Sequence, residues 1–412
     1  FKSSLNATMA ANYQKIGDQF NADMEPIIRN NFGDVLRRDA ETDNNGVLVA
    51  LFTPRINDSF IGVAGFVVTC DQFPNTDTGT YPVGGPYTGT ANTNGASNFG
   101  QVFYAFQPNV AGTGYLGNTA DQWYRTIRST FIHETKHVVS HAARVANNAP
   151  AYEASWLEEG TARHAEELWM RNVVDNVAWK SNIGHGTAAN PINTYCDFRP
   201  SSSAACNANT RRPANIMQRH FGSLYTYMLS TPGRSLSPFG PTASDNSSFF
   251  YAISWSLVRY SIDRHAASDA SFFTALTESR DVGVTNLVNR TGVPIDRLLG
   301  GWSLSLAADD HPLLAGAASP DIQMPTWNLR NVYAGFNTDI PSTYKLAYPL
   351  VPTPLAFGAF TAPAPIDVLN GGGALWYELG GTQNAPQLIR LQSRDGTQTI
   401  PSTLRVAITR IQ

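Results

Sequence analysis

The run Phe131-Ile132-His133-Glu134-Thr135-Lys136-His137 sits in a stretch that has no proline or glycine from Thr119 to Asn147. Trp123, Ile127, Phe131, Val138, Ala142 and Val145 recur there at three-to-four spacing, the period of a helix with one buried face. Thr119 and Gln122 read as a capping box at its start. One long helix is therefore predicted, and the rest of the chain has to pack around it. On that helix His133 and His137 are one turn apart, about 6 Å along the axis, and project from the same face. Two neutral imidazoles so placed can close on one zinc ion. Glu134 then lies beside the metal rather than on it, where a carboxylate can take a proton from a zinc-bound water.

Such a site needs a third ligand. His141 continues the same face but stands about 12 Å beyond His133 along the axis. An unbroken helix cannot bring all three imidazoles to one ion, and Val138-Val139-Ser140 contains no glycine to turn the chain. His141 is read as an ordinary residue of the helix face. The second candidate lies in Trp156-Leu157-Glu158-Glu159-Gly160-Thr161-Ala162-Arg163, which opens a helix expected to run to about Ala178. A carboxylate on its first turn, Glu158 or Glu159, can reach back to complete a two-histidine, one-carboxylate set that leaves a coordination position open.

H-E-x-x-H followed about twenty residues later by W-L-x-E-G-x-A resembles the gluzincin metallopeptidases, the thermolysin-like clan, and within it the secreted bacterial hyicolysin family. The two motifs span His133 to Arg163, and similarity outside them is patchy. The resemblance implies that the ligand is the Glu directly before Gly, which is Glu159. Glu158 stands where those families often carry Asn. Phe249-Phe250-Tyr251-Ala252-Ile253-Ser254-Trp255-Ser256-Leu257-Val258-Arg259-Tyr260 resembles their Y-G-x-x-Y-L-F-x-R-Y-L helix, with Ala252 and Trp255 replacing the usual Gly and second Tyr. A Tyr or His from a later helix is then expected to donate to the developing oxyanion; Tyr251 is the first choice and His220 the runner-up. The same pattern implies that the strand Gln101–Phe106 is a sheet edge that pairs with extended substrate.

Charged residues make up 15% of the chain, well below the usual quarter. Net charge is −3, so no nucleic-acid or other polyanion partner is implied. No apolar run reaches the roughly 18 residues of a membrane span. There is no internal repeat and no nucleotide-binding loop. The first residue is Phe, as expected of a processed or trimmed chain.

Along the chain, Leu5 to Leu36 is expected to form one or two amphipathic helices that bury Met9, Tyr13, Ile16, Phe20, Met24 and Ile28. Asp39 to Gly46 alternates oxygen side chains as a calcium loop does, but Phe52 stands where that loop needs a Glu. A tight Asn-Gly turn before a strand Val47–Thr53 is the preferred reading, with Ca²⁺ as the alternative. Phe60–Thr69 reads as a second strand and residues 71–100 as a long lid or binding loop. A polar loop over residues 181–213 holds Cys196 and Cys206 at a spacing that suits a disulfide, and Cys70 reads as a buried free thiol in a strand. Further helices are expected at Asn215–Leu229, Phe249–His265, Asp269–Thr277, Thr285–Asn289 and Ile295–Ala307. Near residue 320 the texture turns to Pro, Gly and alternating apolar residues. Strands are expected at Tyr344–Val351, Leu355–Phe360, Ala374–Leu379, Gln387–Gln392 and Leu404–Ile408, composing a small sandwich.

The sequence thus leads to an α+β chain. Residues 1–320 are expected to form a zincin-like metallopeptidase domain, with a mixed sheet and edge strand in 1–147 and a mostly helical part in 148–320. Residues 321–412 are expected to form a C-terminal β-sandwich. The function expected is a secreted, monomeric zinc endopeptidase acting on protein or peptide, with His133, His137 and Glu159 as metal ligands and Glu134 as general base. Its rivals are a zinc hydrolase of a non-protein amide and a zincin-fold binding module with vestigial activity.

Overall fold

The computed structural model describes residues 7–60, 62–73, 97–108, 120–174, 177–185, 215–229, 248–314, 319–356, 373–380, 397 and 399–410. The expected capping residue Thr119, Cys196, Cys206, most of the 71–100 and 181–213 loops and the strand Gln387–Gln392 lie outside the described residues. The chain is mixed α and β, mostly helical with a small sheet.

The N-terminal segment forms α1 (Ala7–Gln19) and α2 (Glu25–Asn31), joined by one wide turn over Phe20–Met24. Its expected stripe is buried, with Tyr13 half-covered. The turn from Asp39 to Gly46 follows. The Gly46 amide donates to the Asp39 carboxylate, and Asn44 and Gly46 both take positive φ. Strand β1 (Val49–Phe52) comes next, and then a short helix α3 (Pro54–Ser59). Thr53 starts α3: its hydroxyl accepts from the Arg55 amide, and Pro54 occupies the first turn, where its missing N–H costs nothing. Phe60 therefore ends a helix, and the expected strand Phe60–Thr69 shrinks to β2 (Gly65–Val67). Cys70 lies in a single 3₁₀ turn, Thr69–Gln72, rather than in a strand; its thiol is free and half-buried.

Strand β3 (Val102–Ala105) is the centre of the sheet, not its edge. β1 pairs with it in parallel, Val49 opposite Val102, and β2 pairs antiparallel on its other side. Val102, Phe103 and Ala105 are buried, whereas β1 and β2 are only partly covered. A strand buried on both faces needs neighbours on both sides, so the edges fall to β1 and β2. Substrate pairing therefore cannot involve β3.

The sheet packs against α4 (Ala120–Ala146), the predicted long helix, through Trp123, Ile127 and Phe131. Helix α5 (Ser155–Trp169) returns across α4 and ends in a wide turn over Met170–Val174, short of the expected Ala178. The remaining helices are α6 (Asn215–Met228), α7 (Ser248–His265), α8 (Asp269–Thr277), α9 (Val284–Thr291) and α10 (Ile295–Ala308). Gly160 sits where α5 meets α7. A Cβ there would stand 3.0 Å from the Ser254 backbone, so a larger residue would push the two helices apart by a few tenths of an ångström.

The core does not stop near residue 320. Helix α11 (Leu329–Asp339) lies beyond it, and Met324, Trp327, Val332, Tyr333, Phe336, Tyr344 and Leu350 join the same buried cluster as α4, α5 and α7. The Trp327 indole N–H donates to Glu167, and the Thr326 amide and hydroxyl donate to Asp263. Residues 344–351 form bends and irregular backbone, not a strand. Of the expected sandwich, β4 (Thr353–Ala356) and β5 (Tyr377–Gly380) pair in parallel, and residues 404–408 form no strand. The proline- and glycine-rich texture near residue 320 marks a change of local structure inside one core. A chain ending at residue 320 should lose cooperative melting, because it uncovers Trp255, Phe221 and the carboxylates of Glu167 and Asp263. A chain ending at residue 352 should keep it. Thermal melts followed by circular dichroism decide, and a native-like transition in the shorter chain would place a domain boundary at 320 after all.

Candidate metal centre

His133 and His137, in the buried middle of α4, meet carboxylates of α5, and Glu134 is buried beside them on α4. The His133 Nε2 atom lies 3.0 Å from Glu159 Oε2, and His137 Nε2 lies 3.5 Å from the same oxygen. One ligand atom from each of His133, His137 and Glu159 falls within a 4.8 Å span. Among the described residues no second group of three His, Cys, Asp or Glu side chains converges in this way, and the Asp39–Gly46 turn forms no such group.

The other nitrogen of each ring is occupied. His133 Nδ1 stands 2.7 Å from Glu166 Oε1, and His137 Nδ1 stands 2.7 Å from Glu158 Oε1. An ionised carboxylate can only accept, so both Nδ1 atoms carry a proton, and the two Nε2 atoms are the ring positions that a metal ion shared with Glu159 would meet. The Glu158 and Glu159 alternative is thereby resolved by geometry: Glu159 faces the shared cluster, while Glu158 orients His137. Glu158 also accepts from Lys136, whose ammonium is fully buried and lies 2.8 Å from Oε2.

Burial works against every ionised carboxylate here, and neighbouring cations decide the outcome. For Glu158, Lys136 and then His137 outweigh burial and hold the carboxyl well below its ordinary range. Arg163 and His133 do the same for Glu166. For Glu159, His137 and His133 overcome burial. Burial would lower His137, yet Glu159 and Glu158 together raise it to about 10. Glu134 lacks a comparable partner: burial pushes its carboxyl up to about 7, with His137 and His133 opposing. Four carboxylates, Glu134, Glu158, Glu159 and Glu166, thus meet two permanent cations, Lys136 and Arg163, around two imidazoles. With all four carboxylates ionised and both imidazoles neutral, the state in which they could hold a metal ion, the excess is two negative charges.

This donor set fits zinc. It offers two imidazole nitrogens and one carboxylate oxygen, with the tautomers already fixed and an excess charge that a divalent cation balances. Glu159 keeps 24% of its side-chain surface exposed against 10% and 8% for the histidines, so the cluster opens to solvent on the Glu159 side.

The remaining sequence candidates are also placed. The Tyr251 ring, near the start of α7, lies 6.3 Å from the His133 ring. His220, on α6, is buried edge-on to Trp255, and its Nε2 donates to the Arg163 carbonyl at 3.1 Å. Tyr251 is therefore the better placed of the two. His141 stacks 6.1 Å from the His137 ring, does not join the ligand group, and touches Tyr152 edge-on. Sequence reasoning missed Glu166 and the pairing of Lys136 with Glu158. Glu166 had a signal: it stands two turns beyond Glu159, on the same face of α5.

A scan of family models and a search of curated proteins both returned no match. We expect the purified chain to bind one zinc ion, and His137→Ala to lose it. Metal analysis by mass spectrometry checks this, and stoichiometric zinc in His137→Ala would show that the ion sits elsewhere.

Proposed function

We propose that this chain is a zinc-dependent endopeptidase with a zincin-like fold of the gluzincin type. The observation that carries the reading is the convergence of His133, His137 and Glu159 with Glu134 beside them in the same buried wall. A structural zinc site is closed by four protein ligands. Here three ligands converge, and the Glu beside them adds a group that a structural site does not use.

A zinc ion held by these ligands would supply a Lewis acid and would lower the pKa of water toward about 7. The chain's own groups do the rest. Glu134 accepts the proton of the attacking water and returns it to the leaving amine; its elevated affinity for a proton suits both transfers near neutral pH. Glu158 and Glu166 keep the two imidazoles in one tautomer and one orientation. Tyr251 donates to the oxyanion as charge develops, since a phenol stays protonated at neutral pH.

The substrate we propose is protein or peptide bound in extended form. With β3 paired on both sides, the sheet edge beside α4 that has no strand partner among the described residues belongs to β2, which is antiparallel to β3. Strand addition there gives backbone hydrogen bonds with little demand on side chains. Few charges on the chain surface accord with an extracellular setting. No described helix is long and apolar enough to cross a membrane.

Glu134→Gln keeps the shape and polarity of the side chain but removes the base. We expect zinc content to stay at wild-type level while casein hydrolysis falls by a factor of roughly 10² or more. Wild-type turnover in that variant contradicts the mechanism. A zinc-loaded wild type that leaves casein intact contradicts the endopeptidase reading.

A further inference from the structure

Arg163 belongs to neither the ligand set nor the proton-transfer machinery, yet it touches both sides of the site. Its Nη1 lies 3.2 Å from Glu166 Oε1 and 3.3 Å from Oε2. Its guanidinium carbon stands 4.9 Å from the centroid of the Tyr251 ring, in cation–π contact. Glu166 Oε1 is the atom that accepts from His133 Nδ1, and the Tyr251 ring in turn faces the His133 ring. The four residues therefore close a ring of contacts: His133 to Glu166, Glu166 to Arg163, Arg163 to Tyr251, and Tyr251 back to His133. Three helices contribute, α4, α5 and α7.

We propose that Arg163 is a positioning residue that fastens the Tyr251 ring to the metal-ligand side of the site through Glu166. The role rests on the reading of His133 as a ligand and of Tyr251 as the oxyanion donor. A planar guanidinium suits it, because one edge of the fork meets a carboxylate while the face lies on an aromatic ring. A lysine supplies the charge but not the flat face. The contacts also explain why α7 and α5 share one orientation at the site. Gly160, one turn before Arg163, lets the Ser254 backbone of α7 come close, and the Arg163 carbonyl accepts from His220 of α6.

Two routes lead out of Arg163, and each has its own readout. Through Glu166 it holds the His133 ring, so its loss should weaken metal binding. Residues that orient a metal ligand typically change metal affinity by about 10–100-fold when removed. Through Tyr251 it holds the donor, so its loss should lower kcat with little change in KM.

The test compares Arg163→Met, Arg163→Lys, Tyr251→Phe and the double variant Arg163→Met/Tyr251→Phe in the full-length chain. Zinc affinity is measured by competition with a chromogenic chelator, and kcat and KM are measured on a quenched fluorescent peptide. We expect Arg163→Met to bind zinc about tenfold more weakly, while Tyr251→Phe binds it as wild type does. Arg163→Lys should recover most of the zinc affinity but not the kcat. In the Tyr251→Phe background, Arg163→Met should lower kcat by less than about threefold, since the ring it orients no longer carries the donor. Zinc affinity within about twofold of wild type in Arg163→Met overturns the proposal. So does a kcat loss that multiplies fully with that of Tyr251→Phe. Should wild type cleave no peptide at all, the endopeptidase reading fails, and the zinc measurement alone still decides whether Arg163 braces His133. Should Arg163→Met not fold, Arg163→Lys decides, and wild-type kcat in that variant overturns the proposal.

Discussion

Two imidazoles on α4 are held in one tautomer by carboxylates that reach them from α5, and the geometry of the whole site depends on that crossing. Charges removed from water are costly unless they are paired, and breaking a buried pair costs roughly 3–5 kcal/mol. An exposed pair such as Arg405 with Asp296 contributes little, because water screens it. The cross-helix pairs therefore dominate any exposed ones in fixing how α4 and α5 lie. Each orienting carboxylate also has its own cation, Lys136 for Glu158 and Arg163 for Glu166. A slip of one helix against the other by a single turn would strand several buried charges at once, so the alignment is sharply defined.

Behind α5, a second set of charges fixes its other face. Glu167 and Asp269 both pair with Arg171 and Arg259, and Asp263 pairs with Arg259 at 3.0 Å. The Trp255 indole N–H donates to Glu167 at 2.6 Å, and Trp179 donates to Asp263 at 2.8 Å. All these side chains lie within the protein between α5, α7 and α8, save Trp179, which is half-buried. Glu166 and Glu167 are adjacent in sequence and serve opposite masters: one faces His133 on α4, the other faces Arg259 on α7. Since neighbouring side chains on a helix diverge by about 100°, the two demands can be met only at one rotation of α5 about its axis. That rotation is the one that presents Glu159 to the histidines.

The two histidines of the candidate metal centre were legible because they follow local rules. His133 and His137 share a helix face by spacing alone, and the periodicity of residues 119–147 announces that helix. What the sequence hid was tertiary. Gln101–Phe106 was expected at a sheet edge, and only the pairing of β1 and β2 on its two sides shows that β3 is central. The change of texture near residue 320 was real as composition, yet the Trp327 indole and the Thr326 hydroxyl complete the buried network around Glu167 and Asp263. Composition does not reveal which carboxylates lack a donor. Thr53 and Pro54 start a helix in the short segment between the two expected strands, because a capping hydroxyl and a fixed proline φ favour a helical first turn there.

Lys136 and Glu158 show how two unusual residues can be a single choice. An asparagine at position 158 would serve His137 differently. An amide oxygen can accept from an imidazole Nδ1–H without bringing a charge into the interior, so it needs no cation beside it. A glutamate at the same place accepts more strongly but must be neutralised. Lys136, inside the H-E-x-x-H run and buried to the last atom, meets that need: it lies 2.8 Å from the Glu158 carboxylate and donates again to the Glu158 carbonyl at 3.2 Å. Neither residue makes sense alone, since a lone buried lysine would give up its proton and a lone buried glutamate would take one up. The lysine between the two histidines is thus the counterpart of the glutamate one helix away.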